Sequence, residues 1–192
     1  MLYDLFYSLK NIFSPFNIFQ YITFRAAGAS ITALVISFLV GPKIIRTLSS
    51  HQIGEMIKDI GPESHQIKKG TPTMGGIIIL LSIILPTILW ARLDNAYIQI
   101  ILLSTIWMGA IGFIDDYLKV IKKMPKGLIA RYKMGGLLIL GILVCLILPR
   151  SGFENTTVTS IPFIANGSID LGFLYYLLVV LVISGTSNAV NL

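Results

Sequence analysis

The residues best equipped for chemistry sit in short polar patches of an otherwise apolar chain. The richest patch runs from His65 to Gly76, His-Gln-Ile-Lys-Lys-Gly-Thr-Pro-Thr-Met-Gly-Gly, and leads straight into a long apolar segment. Lys68 and Lys69 supply positive charge, while Gly70, Gly75 and Gly76 would let a ligand approach the backbone. Thr71 is a candidate N-cap and Pro72 suits a first helical turn. A helix starting here would aim free N–H groups and a positive dipole end at an anion such as a diphosphate. The spacing is not that of a P-loop. A basic membrane boundary followed by an ordinary helix cap would use the same residues.

Asp115-Asp116 is the second patch. Two carboxylates near a helix C-terminus are electrostatically unfavourable, so something must compensate, and Lys119 lies one turn beyond Asp115. The pair is open to two readings, a lysine-neutralised helix end or a magnesium site or general base. Neighbouring helical residues project about 100° apart, which suits them poorly to chelating one ion together. A division of labour fits better, with one carboxylate aimed at metal and the other at a proton or a lysine. Asn188 and Asn191 share a helix face at the end of the last apolar segment, where amides also serve as plain terminators. Lys133 precedes the fourth segment and is either a phosphate contact or a boundary marker. Basic residues, glycines at a helix start and a carboxylate pair on one side of a membrane are what phosphoryl transfer requires.

The scaffold for these patches is a membrane protein. Of 192 residues 55% are hydrophobic and 12% charged, and the mean hydropathy is +0.81. Soluble domains carry about twice that share of charge. Apolar segments span 21–40, 74–91, 96–114, 134–149 and 171–190, and a spanning helix needs about 20 residues. The fold class is therefore all-α and polytopic, with five transmembrane helices in one membrane domain. Residues 1–20 are aromatic and broken by Pro15, with Leu2, Leu5, Phe6, Leu9, Ile12 and Phe13 at helical spacing, which predicts an interfacial helix rather than a signal peptide. Cys145, the only cysteine, lies in an apolar run and excludes an internal disulfide.

Charge sets the orientation. The loops 41–72 and 115–133 hold 11 of the 15 lysines and arginines. Basic loops stay in the cytoplasm, which puts the N-terminus outside, the C-terminus inside and all the polar patches on the cytoplasmic face. The net charge of +6 thus reads as membrane orientation and anionic substrates, not nucleic acid. Between Arg150 and Asp170, Val158, Ile161, Phe163 and Ile169 flank Asn166-Gly167, the signal of a small outer β-hairpin. Gly109, Gly112, Gly135, Gly136 and Gly141 offer close helix approach and no chemistry.

At these patches the chain resembles a known family. Gly61-Pro-Glu-Ser-His65, Lys68 and Gly70-Thr-Pro-Thr-Met-Gly-Gly76 are similar to the first signature of the bacterial phospho-N-acetylmuramoyl-pentapeptide transferases, in the polyprenyl-phosphate sugar-1-phosphate transferase superfamily. Ile111-Gly-Phe-Ile-Asp-Asp-Tyr117 resembles the second, Lys126 to Lys133 also matches, and Asn188-Ala-Val-Asn-Leu192 resembles the start of the next. The resemblance implies a Mg²⁺-dependent enzyme of the bacterial inner membrane with a cytoplasmic active site. It would transfer phospho-MurNAc-pentapeptide from UDP-MurNAc-pentapeptide to undecaprenyl phosphate, giving lipid I and UMP for peptidoglycan synthesis, cell shape and division. It implies Asp115 and Asp116 as the essential carboxylates, one a candidate base and either a candidate metal ligand. Lys68 and Thr73 would serve the nucleotide and phosphate, with Lys119, Lys133, Asn188 and Asn191 lining the cleft. Membrane lipids are the expected surroundings, and a homodimer is allowed.

One departure is large. The family has about ten helices and this chain stops after five, before the Asp-rich motif and the further aspartate expected to bind magnesium. The chain thus reads as the N-terminal half of a larger transferase domain, expected to be inactive alone. Two alternatives stand beside it. A UDP-N-acetylhexosamine polyprenyl-phosphate transferase of the same superfamily would share the Asp-Asp pair but not Gly-Thr-Pro-Thr-Met-Gly-Gly. A transporter half would carry ionisable groups near the bilayer midplane, whereas the acidic residues here lie at segment ends or in loops.

Overall fold

The computed structural model describes residues 1–50, 74–124, 126–151, 156–161, 163–164 and 167–189. They form two compact units, Met1–Leu128 and Ile129–Leu192. The first holds α1 (Leu2–Ser8), a 3₁₀ segment (Ser14–Gln20), α2 (Ile22–Ser50), α3 (Gly76–Trp90) and α4 (Ala96–Val120). The second holds α5 (Ala130–Ile147), a 3₁₀ turn (Leu148–Ser151), β1 (Val158–Ser160), β2 (Ser168–Asp170) and α6 (Phe173–Ala189). Each apolar segment became a helix. Among the described residues α2, α4 and α5 are long and apolar enough to cross a membrane, while α3 and α6 are apolar but shorter, at 15 and 17 residues. The chain is an integral membrane protein whose fully buried core is small, since large apolar side chains line the outside of every long helix.

In the first unit, α2 and α3 run antiparallel and are zipped by four levels of contact. Trp90 lies against Gly28 and donates its indole N–H to Thr32 Oγ1 at 3.0 Å. Ser37 and Ser82 hydroxyls meet at 2.9 Å, and Gly41 sits over Ile78. Polar contacts between helices in an apolar medium are worth about 0.6 kcal/mol each, so close packing carries most of this pairing. Trp90 also stacks on Phe19, whose ring meets Phe24 and Phe6. Thus the broken N-terminal segment is a short helix and a 3₁₀ turn folded onto the end of the α2–α3 pair, rather than one helix over 1–20. Arg25 fastens it from below, donating to Phe19 O at 2.7 Å and Gln20 O at 3.0 Å. Both Arg25 and Arg92 stand over the Tyr3 ring, and Asp94 raises the pKa of Arg92 through a side-chain hydrogen bond.

A Cβ at position 28 would lie 2.5 Å from the Trp90 ring, which its indole bond and the Phe19 stack hold in place. Gly28→Ala is expected to destabilise by about 1–3 kcal/mol, the usual cost of overpacking. A thermal melt in detergent reads this as a lowered midpoint; an unchanged midpoint would mean that Trp90 swings away freely.

The second unit packs α5 on α6. Leu137, Leu140, Gly141 and Val144 are buried, and Gly141 brings Val180 so close that a Cβ would lie 3.0 Å from its side chain. The hairpin forms, but not around a two-residue turn. β1 and β2 pair antiparallel with Val158 opposite Asp170 and Ser160 opposite Ser168, so the connection is 161–167. Ile161 and Phe163 fall in that connection instead of in strands, because Ile161 N–H bonds Gly167 O and closes a wider loop. Asn166 lies outside the described residues. Asp170 accepts from the Thr157 hydroxyl and the Gly172 N–H, and these two bonds hold its carboxyl below the usual range. A depressed carboxyl stabilises above its unfolded pKa, so the hairpin base is secure at neutral pH and loosens only in acid.

Candidate functional site

The N-terminus of α3 differs from the expectation. Met74 has a left-handed φ of 68°, which no helix can include, so α3 starts at Gly76 with Gly75 as its uncapped N-cap. Pro72, expected in the first turn, lies outside the described residues. Thr71, Lys68 and Thr73 lie outside the described residues, as does Asn191.

At the other side of this site, α4 runs six residues past the expected end, to Val120. Asp115 and Asp116 thus sit inside its last two turns, and the helix separates their roles. Asp115 is 9% exposed. Its Oδ2 meets Lys119 Nζ at 2.9 Å, the i,i+4 pair expected from spacing. Its Oδ1 accepts the Leu128 N–H at 2.8 Å, from a turn folded back on the helix. Gly127 makes that return possible. It has φ +56°, and a Cβ there would strike Asp115 Oδ1 and come within 2.7 Å of Lys119 Cε. Asp115 is therefore clamped between a lysine and a backbone amide.

Asp116, half-buried, points elsewhere. It lines a crevice of about 290 Å³ with Met74, Gly76, Ile77, Leu80, Gly112 and Phe113. The crevice runs from the start of α3 along α4 to Gly109, where Leu80 touches the glycine. It is apolar apart from the carboxylate at one end. Two of the expected patches, the glycine-led start of α3 and the aspartate pair, are thus brought together. In the second unit, Lys133 occupies the first turn of α5, and Asn188 in the last turn of α6 reaches Met134 Sδ at 3.6 Å and Ser184 O at 2.7 Å. Lys133 and Asn188 are hence near neighbours at one end of that helix pair.

Sequence reasoning missed Gly127, Leu128 and Gly112 as parts of the site. The signal that could have found the reversal is Pro-Lys-Gly at 125–127, although such a stretch does not tell which side chain the turn will hold. Among the described residues no three His, Cys, Asp or Glu side chains gather as a metal cage. A Mg²⁺ ion fits here only in its common form, bound through one or two carboxylates with phosphate oxygens and water. Asp116, on the crevice wall, meets that description.

The comparisons with known proteins converge on the same region. The family model for glycosyl transferase family 4 matches residues 98–192, and that for phospho-N-acetylmuramoyl-pentapeptide-transferase signature 1 matches residues 68–80. A phospho-N-acetylmuramoyl-pentapeptide-transferase of Endomicrobium trichonymphae is 49% identical, with 100% of this chain and 54% of the relative covered. The enzymes of that name from Desulfosudis oleivorans and Koribacter versatilis are 50% and 45% identical, again over 100% of this chain, with 53% and 55% of the relative covered. The chain spans about half the length of the curated relatives it matches. With a helix pair carrying Asp115-Asp116 opposite a signature-bearing helix start, and aligned end to end at 45–50% identity, the chain is similar to about half of a phospho-N-acetylmuramoyl-pentapeptide-transferase.

Proposed function

We propose that this chain supplies one part of an enzyme that transfers phospho-MurNAc-pentapeptide from UDP-MurNAc-pentapeptide to undecaprenyl phosphate, releasing UMP and forming lipid I for the bacterial cell wall. The carrying observation is Asp116 in the crevice between the glycine-led start of α3 and the end of α4. An apolar groove with a carboxylate at one end suits a lipid phosphate held at the headgroup plane. Five spanning helices, with 1–20 as an interfacial anchor and the polar ends in the cytoplasm, give the topology. The basic loops argue for that orientation. On this reading 1–192 belongs to one membrane domain of the bacterial inner membrane.

The two carboxylates then divide the work. Asp116 takes a proton from the attacking phosphate or helps to hold Mg²⁺. When bound, the ion would neutralise charge on the diphosphate. Asp115 positions: clamped by Lys119 and Leu128, it fixes the turn after α4 and the rotation of the helix that aims Asp116. Lys68 and Thr73 serve the nucleotide diphosphate, and Lys133, Asn188 and Asn191 line the cleft.

The test is formation of lipid I and UMP by the purified full-length protein from the two substrates, with and without a divalent-metal chelator. Turnover that is abolished by chelation and restored by Mg²⁺ is expected. Turnover of UDP-N-acetylhexosamine in place of the pentapeptide substrate would move the chain to the sister activity. Turnover untouched by chelation would remove the metal.

A further inference from the structure

The hairpin of the second unit carries no charge from Asn155 to Ile169, a run of 15 residues. About four charges would be ordinary for a water-exposed stretch of that length. What it displays instead is apolar. Phe163 is 107% exposed and Ile164 58%, with Ile161 and Ile169 also exposed. Phe163 adopts φ +68°, a conformation that costs a residue with a Cβ roughly 1–2 kcal/mol. A fully exposed phenylalanine forgoes about 1.5–3 kcal/mol of burial as well. Both costs fall on one side chain that the second unit leaves bare.

Position along the chain identifies what covers it. β2 ends at Asp170 and α6 begins at Phe173, and the Asp170–Gly172 and Asp170–Thr157 bonds tie the hairpin base to the helix start. Three-residue strands reach about 10 Å, so the tip cannot travel far from the level at which α6 begins. The exposed Phe173 and Leu174 continue the same apolar surface into the outside of α6. Phenylalanine and leucine side chains on an interfacial element bury about 5–10 Å into the headgroup–acyl boundary.

We infer that the hairpin is a lipid-surface wedge: Phe163 and Ile164, supported by Ile161 and Ile169, insert at the headgroup–acyl boundary of the leaflet in which α6 starts. The partner is the bilayer itself, bound through apolar contact. With no charge on the wedge, insertion is indifferent to anionic lipid. The inference rests on α6 crossing the membrane, as proposed above.

The test uses the full-length protein with Cys145→Ala, any other cysteines likewise replaced, and Phe163→Cys carrying an environment-sensitive fluorophore, in phosphatidylcholine nanodiscs. The emission should shift to shorter wavelength. Lipid spin-labelled near the carbonyl end of the acyl chain should quench it several-fold more than lipid labelled at the chain terminus. Adding phosphatidylglycerol should change neither result. Emission typical of water, with quenching by iodide, overturns the wedge, and so does protection from both iodide and labelled lipid, which would mean a protein partner. A second probe at Leu177→Cys, on the exposed side of α6, separates the two levels of failure. Lipid quenching at 177 without it at 163 defeats the wedge alone; no lipid quenching at either site defeats the topology with it.

Discussion

Asp116→Asn in the full-length protein lowers kcat for lipid I formation by about a hundredfold or more and leaves the thermal midpoint in place. The amide has the shape of the carboxylate but cannot accept a proton or balance a cation, and a positioned base contributes about 10²–10⁴ in rate. Asp116 is half-buried on the crevice wall, so no packing is lost. Asp115→Asn behaves differently. Its side chain is nearly enclosed, and the new NH₂ group would face Lys119 or the Leu128 N–H, donor against donor. Leaving such groups unmatched costs about 1–3 kcal/mol, so this variant loses stability together with activity. Lipid I formation and melting, measured on both variants, separate the roles. Unchanged kcat in Asp116→Asn would take that residue out of the chemistry.

Gly127→Ala comes next in size. The left-handed backbone alone costs alanine about 1–2 kcal/mol. The methyl group must also displace Asp115 Oδ1 or the Lys119 stem, which breaks the Leu128 bond. Lys119 is 40% exposed, so the ion pair itself adds under about 1 kcal/mol. Together the loss is about 2–4 kcal/mol. A double-mutant cycle on melting checks the mechanism. Combined with Asp115→Ala, Gly127→Ala should cost markedly less than it does alone, because the oxygen it strikes is gone. Strict additivity would show that the turn and the carboxylate are independent.

The helices were legible because apolar runs bounded by charge have few other readings. Their ends were not. α4 outran its apolar stretch because Lys119 neutralises Asp115 one turn on and the Leu128 N–H caps the carboxylate, so two acids can be carried inside a helix. α3 started late because Met74 turned left-handed, a choice that no helix propensity encodes. The pairing of Gly28 with Trp90 and the hold of Gly127 on Asp115 are meetings of distant residues. Composition announces the participants in such meetings but not the partners. The division of labour between the aspartates followed from helix geometry, whereas which of them faced the lysine was fixed by spacing, and what the other faced emerged only from the packing of α3 on α4.

The register of α2 against α3 has a consequence for how a ligand would meet this face. Gly41 lies level with Ile78, near the first turn of α3, yet α2 continues for nine residues to Ser50. α3 itself starts two residues beyond Ile78, at Gly76, so at about 1.5 Å per residue α2 stands roughly 10 Å taller than its partner. Among the described residues the helix pair therefore ends in a step. Past the level of Gly41, α2 carries Lys43 and Arg46, so positive charge stands beside the start of α3.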